Sequence, residues 1–176
     1  MKTRFRLAAA AVISAAALLL SVGAATGASA ATTDMGRSGP EVFSVSITFP
    51  FNPNGTVNAY GPVAGYNGTI ADPSPTQAVF QFSHGNVYVW HTAEPSPTIN
   101  WKSCTTLVLQ VGQWKFTGGT GRYWGAFGSG HFFLRDFAKF PRKYGFCQAA
   151  NPKAQPLYEQ VSVQGYGFAG LPRHHH

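Results

Sequence analysis

The side chains with the most chemistry to offer are three histidines, one Arg–Asp dipeptide and a dense set of aromatic rings. His84, His91 and His131 lie in or beside stretches of alternating polarity. Imidazole gains and loses a proton near neutral pH, so two or three of these converging in one cavity would form an acid–base centre. Partly exposed surface histidines are the simpler reading. Arg135 and Asp136 are adjacent, so in a strand they face opposite sides and do not pair. Asp136 is one of only six Asp and Glu in the chain. With His91 and His131 it forms the set of candidate general acids or bases, an exposed rim position being its plainer alternative. Aromatic residues make up 14% of the chain against 11% charged. Tyr88, Trp90, Trp101, Trp114, Trp124, Phe127, Phe132 and Phe133 belong to this set, and most must serve ordinary core packing. A cavity lined by the rest would suit a small apolar or phenolic molecule, with Tyr88, Trp90, Phe127 and Arg135 as candidate contacts.

Other chemistries lack their patterns. Outside the terminal His174-His175-His176, which reads as a disordered tail or the remnant of a tag, there is no H-x-H and no H-E-x-x-H, so no metal site is expected. Phe127-Gly128-Ser129-Gly130 holds Gly-Ser-Gly but no G-x-S-x-G nucleophile elbow. Lys139, Arg142 and Lys143 cluster before Cys147, where they could attract an anion or simply form a solvated loop. No stripe of Lys and Arg marks a nucleic-acid surface.

The elements that must position these residues begin after an export signal. Lys2, Arg4 and Arg6 precede an apolar run from Leu7 to about Ala25, and Ala28-Ser29-Ala30 supplies a small-x-small site. That order marks a cleavable secretory signal over residues 1–30, with cleavage between Ala30 and Ala31. A membrane anchor is disfavoured because no basic stop-transfer cluster follows. The mature part is a single domain of about 146 residues, secreted and free of the membrane. Of the 13 Lys and Arg, three lie in the signal, so the mature net charge falls to about +4. Two cysteines in an exported chain most simply pair. A Cys104–Cys147 disulfide would close a loop of about 44 residues, worth about 4 kcal/mol by chain entropy and less if strained. A free reactive thiol is the alternative.

Residues 31–40 read as a flexible leader, 41–170 as the folded domain and 171–176 as a His-rich tail. Phe43, Val45, Ile47 and Phe49 alternate with polar or small partners, predicting a half-buried strand that Pro50, Pro53 and Asn54-Gly55 terminate. Tyr66–Ile70 is a short strand and Asp72-Pro73-Ser74-Pro75 a loop. Gln77–His84 and Val87–Thr92 flank Gly85-Asn86, the strongest hairpin signal in the chain. Cys104–Val111 places Leu107, Leu109 and Val111 on one face. Gly112 breaks it before Gln113–Thr117. Gly125–Asp136 and Tyr158–Phe168 complete about eight strands. Asp136–Tyr144 is the best candidate for a helical turn. Strands punctuated by Gly and Pro imply an all-β sandwich or barrel, and glycines within Gly125–Gly130 favour a barrel.

The stretch from Trp114 to Gly130 contains Gly118-Gly119-Thr120-Gly121-Arg122-Tyr123 followed by Ala126-Phe127-Gly128. It resembles the Gly-Gly-Thr-Gly-x-aromatic…Ala-x-Gly signature of the allene oxide cyclase/dirigent barrel superfamily, and is closest in wording to its secreted bacterial barrel-like branch. The resemblance implies one eight-stranded antiparallel barrel, no cofactor, an apolar lumen and a tendency to homo-oligomerise. It also implies two functions to weigh. One is a barrel that binds a small apolar or phenolic ligand. The other is a cofactor-free cyclase or dirigent-like protein that steers a reactive intermediate by restraint and exclusion of water. No acid or base of the plant proteins has a motif-matched counterpart here, so binding is the preferred expectation. A β-sandwich lectin would instead present flat sheets with an open aromatic platform.

Overall fold

The computed structural model describes residues 37–173. The signal, its Ala30–Ala31 junction, the leader before Arg37 and His174–His176 fall outside that range. The elements are β1 (Arg37–Phe49), β2 (Asn52–Tyr60), β3 (Gly65–Ser74), β4 (Gln77–Phe82), β5 (Gly85–His91), β6 (Thr98–Asn100), β7 (Thr105–Gly119), a 3₁₀ turn (Gly121–Tyr123), β8 (Phe127–Lys139), β9 (Arg142–Lys143), β10 (Phe146–Cys147) and β11 (Tyr158–Leu171). Every pairing is antiparallel. The order β5-β4-β3-β2-β1-β11-β8-β7 closes on itself through β5–β7, giving an eight-stranded barrel with β6 added beside β7. Closure leaves the eight barrel strands without a free edge.

Alternation decides which side chains enter the lumen. On β1, Glu41, Phe43 and Val45 are buried between more exposed neighbours. On β7, Thr106, Val108, Trp114 and Phe116 point inward, while Leu107, Leu109 and Val111 lie on the outer wall. One half of the lumen is solid with rings. Phe43 meets Phe80 at 5.2 Å and Trp114 at 5.3 Å between centroids, and Trp114 meets Phe116 at 4.6 Å. The neighbouring wall is stripped to glycine to admit them. A Cβ on Gly165 would overlap the Phe43 ring, and one on Gly130 or Gly167 would crowd Trp114. The Trp114 indole N–H donates to the carbonyls of His131 (3.1 Å) and Tyr166 (3.3 Å), so even its polar atom is satisfied inside.

The Gly-rich turn closes this end. Gly121 adopts φ 57°, where L-residues are strained, and packs against the His84 carbonyl with no room for a Cβ. Thr120 N–H donates to Asn86 O (2.8 Å), Arg122 N–H donates to His84 O (2.9 Å), and the Asn86 N–H donates to Thr120 Oγ1 (3.0 Å). The β7–β8 turn is thereby locked onto the β4–β5 hairpin. The 3₁₀ turn folds Tyr123 back over the lumen, where its ring packs on Phe82 (5.4 Å) and its hydroxyl donates to Ala64 O (2.9 Å).

At the opposite end the Cys104–Cys147 disulfide is formed, with Cα atoms 5.3 Å apart. It ties the segment after β8 to the start of β7. Cys104, Ala138 and Phe140, with Cys147, Ala149 and Ala154 against them, form a second small core separate from the ring cluster.

Several sequence expectations need correction. Gly112 does not break a strand, because β7 runs through it, and its missing side chain makes room for the Phe132 ring. The Asn52–Tyr60 segment, with Pro53 and Asn54-Gly55 inside it, is a strand rather than a terminating turn. Asp72-Pro73-Ser74 ends β3 instead of forming a loop. Residues 37–40 are not leader, since β1 starts at Arg37 opposite Leu171 of β11. Asp136–Tyr144 contains no helical turn, because β8 continues to Lys139. The gain of β2 and the fusion across Gly112 offset each other, which is why a count of eight still held.

Because the two cores are separate, reduction of the disulfide should lower the unfolding free energy by about 2–4 kcal/mol. The far-ultraviolet spectrum should remain that of a sheet. Loss of the sheet on reduction alone, followed by circular dichroism, would show that the ring-filled core does not stand by itself.

Candidate functional site

The less completely covered part of the inner face lies toward the disulfide end. Two cross-strand rows on the inner face define it. One runs Val108, Asp136, Val161, Ile47 across β7, β8, β11 and β1, and the next runs Gln110, Leu134, Val163, Val45. Ile47, Val161 and Val163 are only partly buried, although they pack on the main core. These partly exposed aliphatic side chains form a shallow bowl above the ring cluster. Its polar groups are Gln110, Asp136 and His91.

Each polar group is held differently. Gln110 Nε2 donates to Ala93 O (3.0 Å) on the segment between β5 and β6, which fixes the amide, and its Oε1 is out of solvent with no hydrogen-bond partner among the described residues. His91 ends β5 with its ring edge-on to Phe132 (6.3 Å), and its Nδ1 lies 3.0 Å from Thr92 O. When neutral, His91 donates through Nδ1 and presents Nε2 as an acceptor. Asp136 is half-buried, with Oδ1 shielded from solvent. It follows Phe132 by four residues on β8, about 13 Å of strand. His91 and Asp136 thus stand at different depths of the inner face.

The remaining sequence candidates are on the outside. His131 faces outward against Tyr166, with ring centroids 6.1 Å apart. Tyr88, Trp90 and Phe127 are about two-fifths exposed on the outer wall, and Arg135 is exposed there too. The structure therefore brings two of the three acid–base candidates into the lumen and places all four contact candidates outside it. Trp114, Phe116, Phe132 and Tyr123 are packing residues. Among the described residues no group of three metal-ligating side chains occurs, and no helix is long and apolar enough to cross a membrane.

Glu41 was not singled out in the sequence. It is fully buried at the ring-filled end, where Oε2 accepts the Val63 N–H at 3.0 Å and Oε1 has no hydrogen-bond partner among the described residues. Burial pushes its carboxyl up to about 7, against the opposing pull of the Val63 hydrogen bond and the Arg37 charge. The available signal was its position: Glu41 lies on the Phe43–Val45 face of β1, where a polar residue breaks the apolar alternation.

No family model, curated protein or solved structure matches the chain.

The Glu41 carboxyl holds its proton more tightly folded than unfolded. Its stabilising contribution is complete below about 4.5 and is lost as pH rises through about 7. Raising the pH from 5 to 8 should therefore lower the melting temperature by about 5 °C. In Glu41→Gln that decline should flatten. A melting temperature that rises over this interval, or the same decline in the variant, would refute the assignment.

Proposed function

We propose that this chain is an exported barrel protein that binds a small apolar or phenolic molecule in the bowl at the disulfide end, without a cofactor. The observation that carries this reading is Gln110 Oε1, a buried acceptor with no hydrogen-bond partner among the described residues, beside partly covered aliphatic side chains. Leaving such an acceptor unsatisfied costs about 1–3 kcal/mol. A phenol or alcohol hydroxyl would relieve that cost while its apolar body covers Ile47, Val161 and Val163. Export is read from the residues before Ala31, and the disulfide is compatible with an oxidising compartment.

The Gly-Gly-Thr-Gly resemblance leads to the same kind of molecule, an apolar lumen serving a small ligand. It also raises the cyclase or dirigent-like alternative. Steering a proton-dependent cyclisation calls for an acid and a base facing one substrate. His91 and Asp136 stand apart and His131 is outside, so binding is the better-supported reading. The exposed wall of Leu109, Val111, Phe133 and Tyr166 is where a homo-oligomer would form under this proposal.

Titration with a short p-alkylphenol, followed by calorimetry, should give a dissociation constant on the order of 10 µM. Val163→Trp fills the bowl and should abolish binding. Gln110→Leu should weaken it by about tenfold. Absence of binding across phenols and unsaturated fatty acids, or unchanged affinity in Val163→Trp, would overturn the proposal.

A further inference from the structure

The outer wall carries a second feature, independent of the bowl. Two cavities of about 720 and 280 Å³ adjoin on the outside of the barrel and share Trp90 and Lys115 in their linings. They form one groove that crosses the strands instead of following them. Tyr88 and Trp90 stand two residues apart on the same face of β5, about 40% exposed, like adjacent plates. Trp90 is directly opposite Lys115 on β7, Lys115 is opposite Ser129 on β8, and Gln113 is opposite His131. Beyond His131 comes the Tyr166 ring of β11. From Pro73 on β3 to His131 on β8 the groove spans four strand spacings, about 19 Å.

Flat, half-exposed rings alternating with amide, hydroxyl and imidazole groups match the two faces of a sugar ring. The C–H face lies on an aromatic plate, and the hydroxyls take hydrogen bonds from the polar neighbours. The groove runs across an open wall, so it suits a linear chain better than an enclosed small molecule. Charge narrows the class. Lys115 is central to both linings and no carboxylate lines either cavity, so a negatively charged chain is favoured. An extended peptide would gain little, because the barrel strands beneath have their backbone groups paired and leave no edge to extend.

We infer that the outer groove of Tyr88, Trp90, Lys115, Gln113, Ser129 and His131 is a binding site for an acidic polysaccharide. The sugar rings stack on Trp90 and Tyr88, and a carboxylate or phosphate on the chain meets Lys115.

The test uses the mature protein and calorimetric titration with a galacturonate tetramer, with cellotetraose and an oligothymidylate of similar length in parallel. The galacturonate should bind, and at least tenfold more tightly than cellotetraose. Trp90→Ala should weaken binding at least tenfold without lowering the melting temperature, since the ring stands on the outer wall. Lys115→Gln should weaken it severalfold and remove most of its salt dependence. Both variants should bind p-alkylphenol as the parent does, which separates this site from the bowl. The inference fails if neither oligosaccharide binds at millimolar concentration, if Trp90→Ala binds as well as the parent, if cellotetraose matches the galacturonate, or if the oligothymidylate binds more tightly than both.

Discussion

The constraint on which the structure depends is the fit of a few large rings into a barrel too narrow for large side chains on every strand. Phe43, Phe80, Trp114 and Phe116 fill one half of the lumen because the walls facing them are reduced to Gly130, Gly165 and Gly167. Edge-to-face and tilted ring pairs add about 0.5–1.5 kcal/mol each beyond area burial. The arrangement also admits no small adjustment, because a methyl group on the glycine side overlaps a ring or the neighbouring backbone. The barrel is thus held shut from inside at one end, and only the other end can remain partly open.

The unusual features of the molecule follow from that asymmetry. At the filled end the β7–β8 turn has to sit tightly on the β4–β5 hairpin, which demands glycine at position 121 and brings Tyr123 down as a lid. Glu41 is trapped beneath, with one backbone donor and a carboxyl that favours its proton. At the disulfide end the ring cluster stops, the inner face turns aliphatic, and Gln110 is left with a buried acceptor. A closed wall has a further effect. With every barrel strand paired on both sides, recognition on the outside must rely on side chains, and that is where Trp90, Lys115 and His131 collect.

Much of the fold was legible in local pattern, because strand period and turn chemistry are written within short windows. The Phe43–Phe49 alternation was of this kind, and so was the β4–β5 hairpin, although its turn falls on Ser83-His84 while Gly85 and Asn86 already pair with Phe82 and Gln81 as the start of β5. What escaped depends on partners distant in sequence. Nothing near Gly112 tells that Phe132 will need its space, so a glycine in mid-strand looked like a break. Pro53 and Gly55 look like turn residues until β1 and β3 claim Asn52–Tyr60 as the strand between them. The site was less legible still. Period-two alternation separates two faces but does not say which is the lumen. Tyr88 and Trp90 therefore came out on the wall, while Val87, Val89 and His91 went inside. Gln110 carries no motif, and only the closed barrel shows that its amide oxygen is buried with no hydrogen-bond partner among the described residues.

The proposed ligand site depends on a contrast between a ring-filled half and a less completely covered half of one lumen. Methyl-resolved nuclear magnetic resonance of the mature protein, titrated with p-alkylphenol, reports on both halves at once. The expected result is shifts of the Ile47, Val161 and Val163 methyls, with those of Val63 and Val87 at the ring-filled end unmoved. Shifts at the filled end, or none at either end at saturating phenol, would contradict it.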